Sequence, residues 1–379
     1  MDNMVDSVKV GITGQGGFMG SHLFNFLGIK EDIARVEFKR DFFHNKEQLE
    51  EFVASCDVIV HLAAMNRHTN QDVIYNTNVE LIDKLIAACY ATRTTPKIIF
   101  SSSTQEDKDN LYGKSKRDGR QKLEEWAKKS GAKVTSMLIP NVFGPFGKPN
   151  YNSFIATFCH KIVNGEKPTV INDAQVNLIY INQLSERFYK EILNTNLKNI
   201  NSFVVEHTCT KQVSEILGLL NNFKNQYLDN GQVPNVPLNS FELDLFNTFT
   251  SFIPKNYFPK KFTKHTDNRG AFVEIMRSDI AGQSSYSTTV PGITRGNHFH
   301  TRKVERFAVI SGKASIKLRK IDEDQVFEYI LEGDEPAYVD MPIWYTHNIT
   351  NIGDKELITL FWINEPYNSE DADTYFVEV

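Results

Sequence analysis

The first half of the chain alternates short apolar runs with longer stretches whose apolar positions recur every three to four residues. Val8-Lys9-Val10-Gly11-Ile12-Thr13 predicts a strand, followed by a glycine cluster and a helix over residues 21–27. Further strands are predicted over 35–38, 57–62, 97–101 and 133–139, and helices over 48–54, 76–90 and 114–129. Strands that alternate with helices build β-α-β units, so the expected fold is an α/β, Rossmann-type, doubly wound parallel sheet covered on both faces. The pattern changes near Pro254. Short runs rich in β-branched and aromatic residues then occupy 271–276, 284–290, 306–310, 314–318, 327–331, 349–352 and 358–363. Helical periodicity is largely gone, which predicts an all-β barrel or jelly roll. The segment Pro254-Lys255-Asn256-Tyr257-Phe258-Pro259 reads as a hinge, giving expected domains 1–252 and 253–379.

Composition narrows the class. Of 379 residues, 41% are apolar and 23% charged, which excludes a disordered chain. Forty-two basic against 47 acidic side chains give a net charge of −5, a balance that argues against coating nucleic acid or an anionic membrane. No apolar run reaches the roughly 18–20 residues of a membrane span. The start, Met1-Asp2-Asn3-Met4-Val5-Asp6, lacks the basic-then-apolar pattern of a leader. Cys56, Cys89, Cys159 and Cys209 lie far apart with no C-x-x-C pair, as expected of reduced thiols. These features predict a soluble cytoplasmic protein without nucleic-acid or membrane partners.

Gly14-x-x-Gly17-x-x-Gly20 follows a strand and opens a helix, as a dinucleotide pyrophosphate requires: glycines allow close backbone approach, and the helix start offers unpaired N–H donors. At the end of the second strand Phe38 leads into Lys39 and Arg40, with Asp41 only afterwards, which points to the 2′-phosphate of NADPH. Tyr112-Gly113-Lys114-Ser115-Lys116 places a phenol and an ammonium one helical turn apart. An ammonium beside a phenol favours the phenolate and lowers its pKa, suiting Tyr112 to protonate a carbonyl under reduction. The preceding strand ends in Ser101-Ser102-Ser103-Thr104. Ser103 counts best as the partner hydroxyl, with Ser102 and Thr104 as alternatives.

With Asp57-Val58-Ile59-Val60-His61-Leu62-Ala63-Ala64, Asn78 and Ile139-Pro140-Asn141-Val142-Phe143-Gly144-Pro145, this half resembles an extended short-chain dehydrogenase/reductase acting on nucleotide sugars. The resemblance implies cofactor contacts at Gly14, Gly17, Phe18, Met19, Gly20, Lys39, Arg40, Leu62, Ala63, Ala64, Asn78, Tyr112 and Lys116. The segment from Ser103 to Tyr112 is shorter than is usual there.

Downstream, Gly292-x5-His298-x-His300-x4-Glu305-x6-Gly312 and Pro342-x4-His347-x3-Asn351 match both cupin motifs. His298 and His300 project from one strand face, and three imidazoles with one carboxylate suit zinc, iron, manganese or nickel. Such an ion either catalyses or braces the barrel. Asp267-Asn268-Arg269-Gly270 is similar to a segment of cupin-fold sugar-nucleotide epimerases in which an arginine holds the substrate.

In this order, and with Lys148-Pro149-Asn150-Tyr151-Asn152-Ser153 and the terminal Asp373-Thr374-Tyr375-Phe376-Val377-Glu378-Val379, the whole chain resembles the bifunctional capsule-synthesis enzymes of the CapF type. The resemblance implies a homodimer, and a UDP-linked 2-acetamido-2,6-dideoxy-4-keto-hexose as the substrate. The cupin domain, holding Zn2+, would epimerise C-3, and the reductase domain would reduce C-4 with NADPH. It further implies substrate contacts at Asn141, Asn152, Arg269 and Arg295. His265, Tyr286, Lys303 and Tyr345 are candidates for the epimerising base. Two other readings are a reductase whose cupin only dimerises or docks substrate, and an iron dioxygenase joined to a nucleotide-binding regulatory domain. The intact Y-x-x-x-K disfavours the second.

Overall fold

The computed structural model describes residues 7–195, 198–267, 270–273, 282–365 and 368–379, without the side chains of 264–273. The strands are β1 (Val8–Thr13), β2 (Ile33–Val36), β3 (Val58–His61), β4 (Lys97–Ser103), β5 (Val134–Ile139), β6 (Asn141–Phe143), β7 (Gln175–Tyr180), β8 (Ile200–Val204) and β9 (Cys209–Gln212). The helices are α1 (Phe18–Leu27), α2 (Lys46–Ala54), α3 (Gln71–Thr92), α4 (Leu111–Ser130), α5 (Phe154–Val163), α6 (Ile181–Leu193), α7 (Val213–Phe223) and α8 (Phe241–Thr250).

Among the described residues, six strands form a parallel sheet in the order β2-β1-β3-β4-β5-β8. Winding reverses between β1 and β3, and ligands of doubly wound sheets bind outside the strand ends at that crevice. The central strands are apolar runs because both faces are covered: Val10, Ile12, Ile59, Val60, Ile98 and Ile99 are fully buried.

Helices start earlier than their apolar periodicity suggests, because polar caps lie outside it. Asn70 accepts the Asp72 N–H at 2.8 Å to open α3, and Asn110 accepts the Gly113 N–H at 2.7 Å to open α4. The predicted strand over 35–38 is instead Ile33–Val36. Phe38 leaves the sheet to pack edge-on against Phe42, Phe43 and Phe52, and a 3-10 turn (Arg40–His44) follows.

The second part adds β10 (Lys260–Lys261), β11 (Lys264–Asp267), β12 (Gly270–Val273), β13 (Gln283–Thr289), β14 (Thr294–Phe299), β15 (Glu305–Ser311), β16 (Lys313–Lys320), β17 (Val326–Glu332), β18 (Ala337–Met341), β19 (Tyr345–Asn351), β20 (Leu357–Ile363) and β21 (Tyr375–Phe376). They form two five-stranded antiparallel sheets, β10-β18-β15-β20-β13 and β17-β16-β19-β14-β21, beside the β11–β12 hairpin. The Phe307 and His347 rings, 5.9 Å apart, join the inner faces of the two sheets.

By internal contacts the chain divides into two compact units, Met1–Phe154 with Ala174–Gln212 and Ile155–Asp173 with Val213–Val379. All four cysteines are unbridged. Among the described residues no helix is long and apolar enough to cross a membrane.

Candidate active site and metal centre

In the first unit the glycine turn follows β1 directly. Gly14 has φ +77°, and a Cβ there would stand 2.8 Å from the Ala63 nitrogen, so this position demands glycine. Its carbonyl accepts the Gly17 N–H at 2.9 Å. Gly17 caps α1 without a side-chain bond, so no cap side chain satisfies the first N–H groups of the helix, at Phe18, Met19 and Gly20. Leu62, Ala63 and Ala64 follow β3 on the other side, with Leu62 N–H bound to the Thr13 carbonyl at 3.1 Å. Gln15 was not foreseen. Its side chain accepts the Phe38 N–H at 2.9 Å and so ties the glycine turn to the exposed Lys39 and Arg40.

The hydroxyl cluster sorts itself by partners. Ser101 Oγ donates to the His61 carbonyl at 3.2 Å, and Ser102 Oγ donates to Glu106. Ser103, the last residue of β4, accepts the Gln105 N–H at 3.2 Å and stands close enough to Tyr112 to act on its phenol. Tyr112 stands in the first turn of α4, which docks so tightly that a Cβ on Gly113 would meet the Gln105 carbonyl at 2.0 Å. Lys116 lies one turn on, buried, with Nζ donating to the Ser101 carbonyl at 2.8 Å and 5.9 Å from the Tyr112 ring centre.

The electrostatics differ from the sequence expectation. Burial pushes the Tyr112 phenol up to about 12, against the lowering bond with Ser103, and the Tyr151 phenol raises it further. Burial also brings Lys116 down to about 8. The ammonium therefore does not hold the phenol low; its direct partner is a carbonyl. Tyr112 stays protonated across neutral pH, as a proton donor must.

Asn78, buried in α3, accepts the Met65 N–H at 2.6 Å and donates to Ser115 Oγ at 3.0 Å, fastening the loop after β3 to α4. Asn141 is exposed at the start of β6, its amide donating to the Asn177 carbonyl at 3.2 Å. Asn152 is exposed in a turn whose carbonyls at Asn150 and Tyr151 accept from Arg67 Nη1 at 3.3 and 2.8 Å.

In the second unit the four residues of the two cupin-like motifs converge. One donor atom from each of His298, His300, Glu305 and His347 lies within 4.8 Å of the others. His298 faces His347 across β14–β19, after a register shift beyond Gly296, and Glu305 opens β15 in the opposing sheet. His300 Nδ1 meets the Asp373 carbonyl at 2.5 Å and His347 Nδ1 the Tyr345 carbonyl at 3.2 Å. A carbonyl only accepts, so both Nδ1 atoms carry hydrogen, and each ring turns its Nε2 inward as a ligand atom. His347 Nε2 is 2.9 Å and His300 Nε2 3.5 Å from Glu305 Oε2. Among the described residues, the buried His300 Nε2 has no hydrogen-bond partner. Three imidazole nitrogens converging with a carboxylate fit a divalent cation, and burial with the neighbouring His347 and His300 pushes His298 down to about 4.

The remaining candidates separate. Arg295 pairs with Ile349 and so shares the face of His347, while its guanidinium holds Thr289 Oγ1 at 3.1 Å and the Thr288 carbonyl at 3.0 Å. Tyr286 pairs with Leu360, which pairs with Ala308; side-chain alternation puts it on the face opposite Glu305, where it is 74% exposed. Lys303 is buried and donates to the Ala372 carbonyl at 2.7 Å. The Tyr345 ring lies 3.9 Å below the Lys255 ammonium, and burial raises its phenol. Arg269 and the His265 side chain lie outside the described residues.

Residues 10–190 match the NAD dependent epimerase/dehydratase family and residues 265–375 the polysaccharide biosynthesis C-terminal domain. A relative from Pseudomonas aeruginosa, UDP-2-acetamido-2,6-beta-L-arabino-hexul-4-ose reductase, is 34% identical over 376 residues, covering 98% of this chain and 99% of its own. The spore coat polysaccharide biosynthesis protein SpsL of Bacillus subtilis is 27% identical over 124 residues, 30% of this chain and 82% of its own. The crystal structure of the capsular polysaccharide assembling protein CapF from Staphylococcus aureus superposes with TM-score 0.62 at 36% identity, over 98% of this chain and 100% of that one. With both halves matched in the same order and full-length relatives above 30% identity, the chain belongs to the CapF family of capsular polysaccharide assembling proteins.

Proposed function

We propose that the chain converts a UDP-linked 2-acetamido-2,6-dideoxy-4-keto-hexose in two steps, C-3 epimerisation by residues 253–379 and NADPH-dependent C-4 reduction by residues 1–252. The product is a UDP-N-acetyl-6-deoxy-L-hexosamine for surface polysaccharide. The observation that carries the reading is the grouping of Ser103 at the end of β4 with Tyr112 in the first turn of α4, and the buried Lys116 one turn on, its Nζ 5.9 Å from the Tyr112 ring centre. The name of the Pseudomonas relative, a reductase of a hexul-4-ose, supports the same substrate class. Unbridged thiols suit the cytoplasm.

NADPH bound along the glycine turn supplies the hydride to C-4. Tyr112 donates its proton to the carbonyl oxygen, which Ser103 holds by a hydrogen bond. Lys116 sets the charge behind them and reaches the cofactor ribose. A phenol held near 12 by burial is protonated at rest and reclaims its proton from solvent after each turnover. Lys39 and Arg40 select the 2′-phosphate, supporting NADPH over NADH.

In the other half, a divalent ion, Zn2+ in this proposal, held by His298, His300, Glu305 and His347 supplies Lewis-acid charge where the sugar oxygen becomes anionic. The C-4 carbonyl acidifies the C-3 proton, so base removal and return on the other face inverts that centre. Arg295, on the ligand face, adds positive charge for the substrate diphosphate or keto group.

The reductase name also favours a narrower second reading, in which only C-4 reduction is catalysed and the metal domain dimerises the chain or docks substrate. Steady-state NADPH oxidation with the keto-sugar tests the reductase assignment. Tyr112→Phe is expected to lose about 10²–10⁴-fold in kcat while still binding NADPH. Unchanged turnover would remove Tyr112 from the mechanism.

A further inference from the structure

Asp373 is separated from His300 by 73 residues in sequence, yet it is buried against the loop that links His300 to Glu305. Its Oδ1 accepts the Thr301 hydroxyl at 2.6 Å and the Thr301 N–H at 3.1 Å. Its Oδ2 accepts the N–H groups of Arg302 at 3.0 Å and Lys303 at 3.2 Å. Its main-chain carbonyl receives the Nδ1–H of His300 at 2.5 Å. The backbone there is left-handed, φ 45°, a conformation a non-glycine residue keeps only when its surroundings impose it. The flanking chain grips the same strands: Phe376 pairs with His298, the Val377 N–H binds the Asn297 carbonyl at 2.9 Å, and Thr346 donates to the Val377 carbonyl.

We propose that Asp373 is a positioning residue of the metal centre: its carboxylate fixes the 301–303 loop and its own backbone, and its carbonyl thereby aims the His300 imidazole at the cation. The inference rests on the metal reading above and extends it to what sets the affinity of the centre. A carboxylate is required because donors converge on both oxygens. Asparagine keeps one acceptor and turns an N–H2 toward further N–H groups.

The test uses the full chain stripped of metal and titrated with Zn2+ against a chromogenic chelator, with Co2+ visible spectra as a second readout. Asp373→Ala is expected to weaken Zn2+ binding about 10–100-fold and to alter the Co2+ bands, Asp373→Asn to fall between it and the parent, and Asp371→Ala, removing only an exposed partner of Arg302, to change affinity less than about twofold. Thermal midpoints of the metal-free proteins are measured alongside. If Asp373→Ala does not fold, Asp373→Asn carries the comparison. Parent-like affinity and spectrum in a folded Asp373 variant, even with a lowered midpoint, would show a merely structural role and overturn the proposal. Failure of the parent chain to bind Zn2+ or Co2+ would overturn the metal reading with it.

Discussion

Lys116 is an ammonium in an enclosed position, and burial lowers its pKa from 10.5 to about 8. Below pH 8 the charge behind Tyr112 is present; above it the charge is lost, while Tyr112, near 12, keeps its proton. Reduction should therefore fall by about one decade per pH unit above pH 8. Folding stability should move the other way. Between pH 8 and 10.5 the unfolded chain holds the Lys116 proton that the folded chain has released, so this residue's contribution to stability rises with pH over that window. A pH–rate profile flat to pH 10 would contradict the assignment. At this scale the pairing of Tyr112 with Lys116 was legible in the sequence, since it follows from one helical turn. It did not distinguish Ser103 from Ser102, because that depends on Glu106 occupying Ser102. Nor did it reveal Asp373, whose partners are distant in the chain.

The short connection from β4 to α4 is built around Glu106. Its buried carboxylate accepts the Ser102 hydroxyl and Arg120 at 2.8–3.1 Å, and its carbonyl accepts Arg117 at 3.2 Å. This pair holds Ser103 and Tyr112 at their separation without a long loop. Glu106→Ala should cost about 2–3 kcal/mol in urea unfolding and lower kcat more than it raises KM. A loss below about 0.5 kcal/mol would mean that the pair holds nothing. Strand and helix identity was legible wherever periodicity was clean, as in α3, α4, β16 and β20. It failed where polar groups interrupt the pattern. β18 is wholly buried but contains Asp340, bound to Arg306 at 2.8 and 3.0 Å. Residues 141–250, where short strands of both directions alternate with helices, gave no clear period.

At the scale of the molecule, change from helix to strand and division into compact units do not coincide: α7 and α8 group with the antiparallel sheets, which no local pattern discloses. In the proposed two-step reaction, joining the two chemistries has a thermodynamic purpose, because epimerisation alone stops at a mixture and reduction removes the ketone that permits reversal. Removing the metal with a chelator should abolish C-3 exchange while leaving reduction of an already epimerised ketone within about twofold, as the Tyr112 and His300 sites draw on different residues. Equal loss of both, followed by NADPH oxidation, would contradict that separation. The most direct measurement of the two-step account is NMR of the keto-sugar incubated in D2O with full-length Tyr112→Phe and NADPH. The account predicts deuterium at C-3 above the enzyme-free rate while NADPH stays unoxidised. Sugar recovered without deuterium at C-3, or NADPH consumed at the parent rate, would contradict it.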